Sequence, residues 1–172
     1  ESAARKGERY TAAGFAFVIQ DTRGRYDSEG RGPVFIADGV GPLRDGYDTI
    51  DWIARQPWCD GNVGMVGASA NGITGYLAAA AGHPALKCVR AAYASASLYH
   101  DMAYPGGVFR YGAAGSWVVE KSGPQALQPI YDQALYGPMW QAVDLPASAG
   151  NVTSAIYNWG GWFDPASSGT IR

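Results

Sequence analysis

Asn62-Val63-Gly64-Met65-Val66-Gly67-Ala68-Ser69-Ala70-Asn71-Gly72-Ile73 is the stretch on which the reading of this chain turns. Asn62 to Val66 is a short apolar run of strand type, and Ile73 to Ala81 is an apolar run of helical length. Between them a serine stands on a glycine-flanked corner, Gly67 to Gly72. Strand, sharp turn and helix with serine at the apex is the layout of a nucleophile elbow. Such a corner needs small neighbours because it brings strand and helix close together, and Gly67 and Gly72 supply them. The general G-x-S-x-G form is missed by one position, since Asn71 stands where the second glycine belongs. A plain structural turn is the competing reading; the flanking strand and helix favour the elbow.

Outward from the elbow the order reads β-loop-α-β-α-β. Phe15-Ala16-Phe17-Val18-Ile19 is a continuous apolar run that suits a strand buried on both faces. Asp21 to Gly46 is rich in Gly, Pro, Arg and Asp and reads as a long loop, a length that is uncommon without a function. Asp45 is a suitable N-cap for the next helix, whose apolar stripe is Tyr47, Ile50, Ile53 and Ala54 and which Pro57 ends. Leu86 to Tyr93 reads as another buried strand. This order implies right-handed crossovers and a mostly parallel sheet with helices on both faces. Between Leu98 and Gly150 no clean period survives, and tyrosine, tryptophan, glycine and proline dominate. That segment is expected to be an inserted cap. The division is therefore core over 1–97, cap over 98–150, and core resumed over 151–172, with a strand at Val152 to Tyr157.

The chain has 172 residues, enough for one domain with a sizeable core. Nearly half are apolar and 16% are charged, which is the composition of a globular chain. The formal charge of −2 offers no basic stripe for nucleic acid or an anionic membrane. A helix is expected near Arg5 to Ala13, and Ile171-Arg172 reads as part of the first turn of another. The chain is therefore expected to be a piece of a longer protein, so a leader sequence cannot be judged and the cytoplasm is only slightly favoured. Cys59 and Cys88 read as reduced structural cysteines. No metal-ligand spacing occurs, the two histidines being far apart and not beside cysteines.

Asp164 follows the last strand candidate and stands behind Gly160-Gly161, which permit a tight turn. In the Ser, acid, His chain order of an α/β-hydrolase triad it occupies the place of the acid. An Asp-Pro turn initiator is the alternative reading of the same residue. His83 ends the helix after the elbow and His100 opens the cap-like segment; both read as helix-end or surface residues. No histidine follows residue 100, so the general base is expected outside these residues.

The longer motifs carry a resemblance. Phe15 to Gly30, running Phe-Ala-Phe-Val-Ile-Gln-Asp-Thr-Arg-Gly-Arg-Tyr-Asp-Ser-Glu-Gly, resembles a signature of the cocaine esterase and Xaa-Pro dipeptidyl-peptidase family of α/β-hydrolases. So do Gly46 to Ile53, Gln56 to Met65, and Gly160-Gly161-Trp162-Phe163-Asp164. The family elbow is G-x-S-Y-x-G, which accounts for the missed pattern and makes Ala70 the unusual residue. The resemblance implies Ser69 as nucleophile, Asp164 as triad acid and the Ala70 backbone N–H as one oxyanion donor. It implies a second donor upstream of residue 1 and a histidine after Asp164, so the 172 residues alone are expected to be inactive.

The implied reaction is two-step acyl transfer from an ester, amide or short peptide, without metal or cofactor. Tyr104, Trp117, Trp140 and Trp162 are candidates to line a substrate pocket; for any one of them, packing within the fold is the plainer reading. A catalytically inactive hydrolase-fold binding protein is the alternative that Ala70 and the missing base motivate. Homo-oligomerisation is left open.

Overall fold

The computed structural model describes residues 3–32 and 35–171. Its centre is a parallel sheet of β1 (Val63–Ala68), β2 (Leu86–Ala92) and β3 (Ala155–Trp159), in that spatial order. After one shift between Val63 and Gly64 the pairing is regular, so Ala68 lies opposite Ala92 and Ala92 opposite Trp159. All three strands therefore end together at one edge, and the loops that follow them share one end of the sheet.

Helix α3 (Ala70–Ala80) covers one face of the sheet. It carries Gly72 and Gly75, each of which weakens an isolated helix by about 1 kcal/mol, so packing rather than propensity holds it. Both glycines are needed for that packing. A Cβ on Gly75 would stand 2.9 Å from Val89 Cγ1, and one on Gly72 would stand 2.7 Å from Ala94 Cβ. The helix buries Ile73, Tyr76 and Leu77 in one cluster with Val89 and Ala91 of β2, and large apolar side chains stabilise by roughly 1.5–3 kcal/mol each. Tyr76 also donates its hydroxyl to Asn158 Oδ1 at 3.0 Å, which links α3 to β3; burial pushes its phenol up to about 12. On the opposite face of the sheet Val66, Arg90, Tyr157 and Trp159 are exposed.

Helix α2 (Asp45–Ala54) packs beside α3 and sends Ile50 into the same core. Asp45 is its first helical residue rather than its cap, which is Arg44. The Asp45 carboxylate is held by Arg23 instead, with Nε to Oδ2 at 2.8 Å and Nη2 to Oδ1 at 2.5 Å. A bidentate charge-assisted pair is stronger than a neutral cap bond, which explains the exchange of roles. The pair also pins the long loop to α2.

Helix α1 (Ala3–Ala12) forms where a helix was expected; Ile171, expected in the first turn of a further helix, instead ends the short helix Ser167–Ile171, and Arg172 lies outside the described residues. Phe15–Ile19 is not a strand. The segment is without a ladder partner among the described residues, Phe15 is 63% exposed, and Phe17 stacks back on Tyr10 of α1 at 5.1 Å. Its apolar pattern marks a surface to be covered, but a strand also needs a neighbour to accept its hydrogen bonds. The last strand starts at Ala155 rather than Val152, because the Val152 N–H is still bonded to Ala149 within a preceding turn.

Residues 98–151 form short helical turns, among them α4 (Ser116–Ser122), α5 (Gln128–Asp132) and α6 (Pro138–Gln141). The segment returns to the sheet through a bridge between Ser97 and Asp144 and a bond from the Leu145 N–H to the Ala96 carbonyl at 2.9 Å. The long loop reaches it too. Arg25 donates to the Lys121 carbonyl and to Ser122 Oγ, both at 2.8 Å, and Phe35 stacks on Trp117 at 5.7 Å. Cys59 and Cys88 are free, and Cys88 is exposed on β2. Among the described residues no helix is long and apolar enough to cross a membrane.

Candidate active site

Ser69 joins β1 to α3 with φ +54° and ψ −124°, a left-handed region that a non-glycine residue enters at a cost of order 1–3 kcal/mol. The surrounding bonds hold it there. Its N–H donates to the Ala92 carbonyl at 2.9 Å, while its carbonyl accepts from Gly72 at 2.9 Å and Ile73 at 3.0 Å. The turn is so tight that a Cβ on Gly67 would lie 2.1 Å from the Asn71 carbonyl oxygen. With both backbone groups tied down, the side chain stands exposed at the sheet edge. The strand, sharp turn and helix expected around Ser69 are present, with the strand running on to Ala68 and the helix beginning at Ala70.

Ala70 is the first residue of α3, and no side-chain cap occupies that helix start. Its N–H belongs to the first turn, where amides lack intrahelical acceptors and the helix dipole favours negative charge. An oxygen that gains charge beside Ser69 would meet that donor.

Asp164 stands on the loop after β3. Its N–H donates to the Gly161 carbonyl at 3.1 Å, which closes the turn that Gly160-Gly161 were expected to permit. Oδ1 accepts the Ala166 N–H at 2.7 Å, and Oδ2 makes no hydrogen bond among the described residues. The turn-initiator geometry and a carboxylate oxygen open to a further donor therefore coexist. Ser69 follows the end of β1 and Gly160 the end of β3, two strand spacings apart, or roughly 10 Å. Loops at the carboxyl ends of parallel strands are where open α/β sheets bind ligands.

The two histidines are engaged elsewhere. His83 is 7% exposed, its Nδ1 accepts the Ala85 N–H at 3.1 Å, its Nε2 lies 3.6 Å from Asp51 Oδ1, and its ring meets Tyr47. It sits past the far end of eleven-residue α3, so roughly 16 Å of helix separates it from Ser69. His100 is exposed and its ring lies 5.0 Å from Tyr99 and 4.9 Å from Tyr136. Neither bonds to Asp164.

The four aromatic candidates separate. Tyr104 and Trp140 are buried at 6% and 5%, their polar atoms donating to the carbonyls of Ile130 and Gln133. Both belong to the packed core cluster. Trp117 stacks on Phe35, and Trp162 is 85% exposed two residues before Asp164. A cleft of about 570 Å³ lies between residues 18–29 and α2, and neither Ser69 nor Asp164 lines it. No group of metal-ligating side chains forms among the described residues.

Sequence reading missed two residues beside this site. Tyr93 has φ +36° directly after β2 and donates its N–H to the Trp159 carbonyl at 2.8 Å. Asp101 is 2% exposed and bonded to chain on both sides of the sheet end. No local pattern marks either; each owes its place to contacts distant in sequence.

A parallel sheet with a strained serine between strand and helix defines an α/β-hydrolase fold, here in part. The profile of the X-Pro dipeptidyl-peptidase (S15) family matches residues 1–133, and the chain belongs to that family. The match includes the elbow and stops short of Asp164. Cocaine esterase of Rhodococcus sp. (strain MB1 Bresler) is 45% identical over 105 residues, 60% of this chain and 18% of that protein. The chain thus spans under a fifth of that curated relative. An aminopeptidase from a marine sediment Thaumarchaeota archaeon superposes with a TM-score of 0.66 at 22% identity, over 96% of this chain and 36% of that one. An α-amino acid ester hydrolase does so with a TM-score of 0.64 at 23% identity, over the same shares. These two likenesses establish the fold.

Proposed function

We propose that this chain carries the nucleophile and the triad acid of a serine hydrolase acting on an ester or amide bond. The observation that carries the proposal is Ser69 itself, held exposed at φ +54° between β1 and α3 in a family whose members include an esterase. Ser69 Oγ attacks the carbonyl carbon, its proton passes to a histidine, and the tetrahedral oxyanion takes the Ala70 N–H. Collapse expels the alcohol or amine with that proton; water then repeats the sequence on the acyl-enzyme. In this reading Asp164 accepts the histidine N–H and holds its tautomer, which is supported by Oδ1 alone being engaged, by the Ala166 N–H. His83 and His100 are both engaged elsewhere, which supports a base contributed from outside these 172 residues.

Residues 98–150 act as the cap over the strand ends. In this reading Trp162, whose exposure supports the role, meets substrate, while the buried Tyr104 and Trp140 support the cap from inside. The substrate class is a small ester, amide or short peptide. The test is hydrolysis of a 4-nitrophenyl ester by the complete gene product. Ser69→Ala should lower kcat on the order of 10⁶-fold and Asp164→Asn about 10⁴-fold, both folded as wild type. Unchanged turnover in folded Ser69→Ala would refute the assignment.

A further inference from the structure

We infer that Asp101 positions the loop that bears Asp164, an inference that rests on reading Ser69 and Asp164 as nucleophile and triad acid. Asp101 is 2% exposed and lies on the first turn after the β2 loop. Oδ2 accepts the Ser97 N–H at 3.1 Å, while the Ser95 hydroxyl donates to the Ser97 carbonyl at 2.7 Å and braces the same turn. Those serines continue directly from β2, whose Ala92 carbonyl holds the Ser69 N–H. Oδ1 accepts the Ser168 hydroxyl at 3.2 Å. Ser168 belongs to α7 (Ser167–Ile171), the turn that leaves the Asp164 loop.

The contact is built to be close. A Cβ on Gly169 would lie 2.5 Å from Asp101 Oδ2 and 2.9 Å from the Ala96 nitrogen, so only glycine lets α7 approach. Thr170 donates its hydroxyl to the Ala94 carbonyl at 3.1 Å, a second tie to the same loop. On the loop side, Thr170 N–H bonds to Ala166 and Ala166 N–H to Asp164 Oδ1, at 3.0 and 2.7 Å. Arg110 adds a tie from the helical segment to the Pro165 carbonyl at 3.3 Å. A continuous chain of bonds thus runs from the triad acid through α7 and Asp101 to the strand that seats the nucleophile. Asp101 touches no reacting atom and acts by fixing where the Asp164 carboxylate stands.

Ser168 is exposed, so removing its hydroxyl cuts one link without opening the core. The experiment compares Asp101→Asn, Ser168→Ala and Ser168→Thr in the complete gene product. Two readouts are taken: amide exchange over residues 160–171, and ester hydrolysis with kcat and KM separated. Loosening the loop should speed exchange about tenfold in Asp101→Asn and Ser168→Ala. It should lower kcat roughly 10- to 100-fold with KM held within about twofold, since a misplacement near 1 Å costs about that much in rate. Ser168→Thr should restore both. Unchanged exchange, or faster exchange with wild-type kcat, would overturn the inference. Should Asp101→Asn fail to fold, Ser168→Ala decides alone. A wild-type protein whose turnover survives Ser69→Ala refutes the function instead, and exchange over 160–171 then still decides whether Asp101 holds the loop.

Discussion

The Ser69 N–H donates to the Ala92 carbonyl at 2.9 Å, so the candidate nucleophile is still bound to the sheet when its φ reaches +54°. A rigid ladder on one side and the start of α3 on the other leave the serine no relaxed alternative. Strain held this way survives only where the surroundings over-determine it.

Gly67 is the position where that over-determination is easiest to break. A Cβ there would lie 2.1 Å from the Asn71 carbonyl oxygen, a backbone atom with no room to yield. Gly67→Ala should cost at least about 2–3 kcal/mol in urea unfolding and abolish ester hydrolysis. Gly112→Ala, where a Cβ meets nothing within 4 Å, should change stability by no more than about 0.5 kcal/mol. Equal effects at the two positions would contradict the steric account.

Asp38 gives a pH dependence of known sign. Burial first, then the neighbouring Asp45, raise its carboxyl from its ordinary 3.8 to about 6. Between those values the native state binds more protons than the unfolded chain, so this group's contribution falls as pH rises from about 4 to 6 and stays lowered above. The shift amounts to about 3 kcal/mol for a carboxyl that is 8% exposed. Asp38→Asn should therefore be more stable than wild type at pH 8 by up to that amount, and similar to it at pH 4. Denaturant midpoints at the two pH values check it.

Two substitutions in α3 separate packing from hydrogen bonding. Leu77→Ala empties a side-chain volume that is 2% exposed and should cost about 2–5 kcal/mol. Tyr76→Phe keeps the ring and loses only the bond to Asn158, which should cost about 1 kcal/mol. Thermal unfolding of the pair, in that order of severity, tests the claim that core contact holds this glycine-bearing helix.

How much of this was legible in the sequence depends on whether the signal was local. The elbow was, because glycine at 67 and 72 and the change of period across Ser69 are written within a dozen residues. The stripe of α2 and the tight turn before Asp164 were legible for the same reason. Phe15–Ile19 was misread because an apolar run reports a need for cover and says nothing of a neighbouring strand. Asp45 was read as a cap because its partner Arg23 is 22 residues away. Aromatic side chains cannot be sorted into core and pocket by residue type alone, so Tyr104 and Trp162 looked alike. Asp101 escaped entirely, its bonds being to residues that only folding brings near.

The central claim is that the residue at this strained corner is a nucleophile, and covalent trapping tests it most directly. The complete gene product is treated with a fluorophosphonate and the adduct mapped by peptide mass spectrometry. The account predicts one phosphonylated residue, Ser69, with no labelling in folded Ser69→Ala. Folded wild-type protein that takes no label, or takes it on another residue while Ser69 stays free, would contradict it.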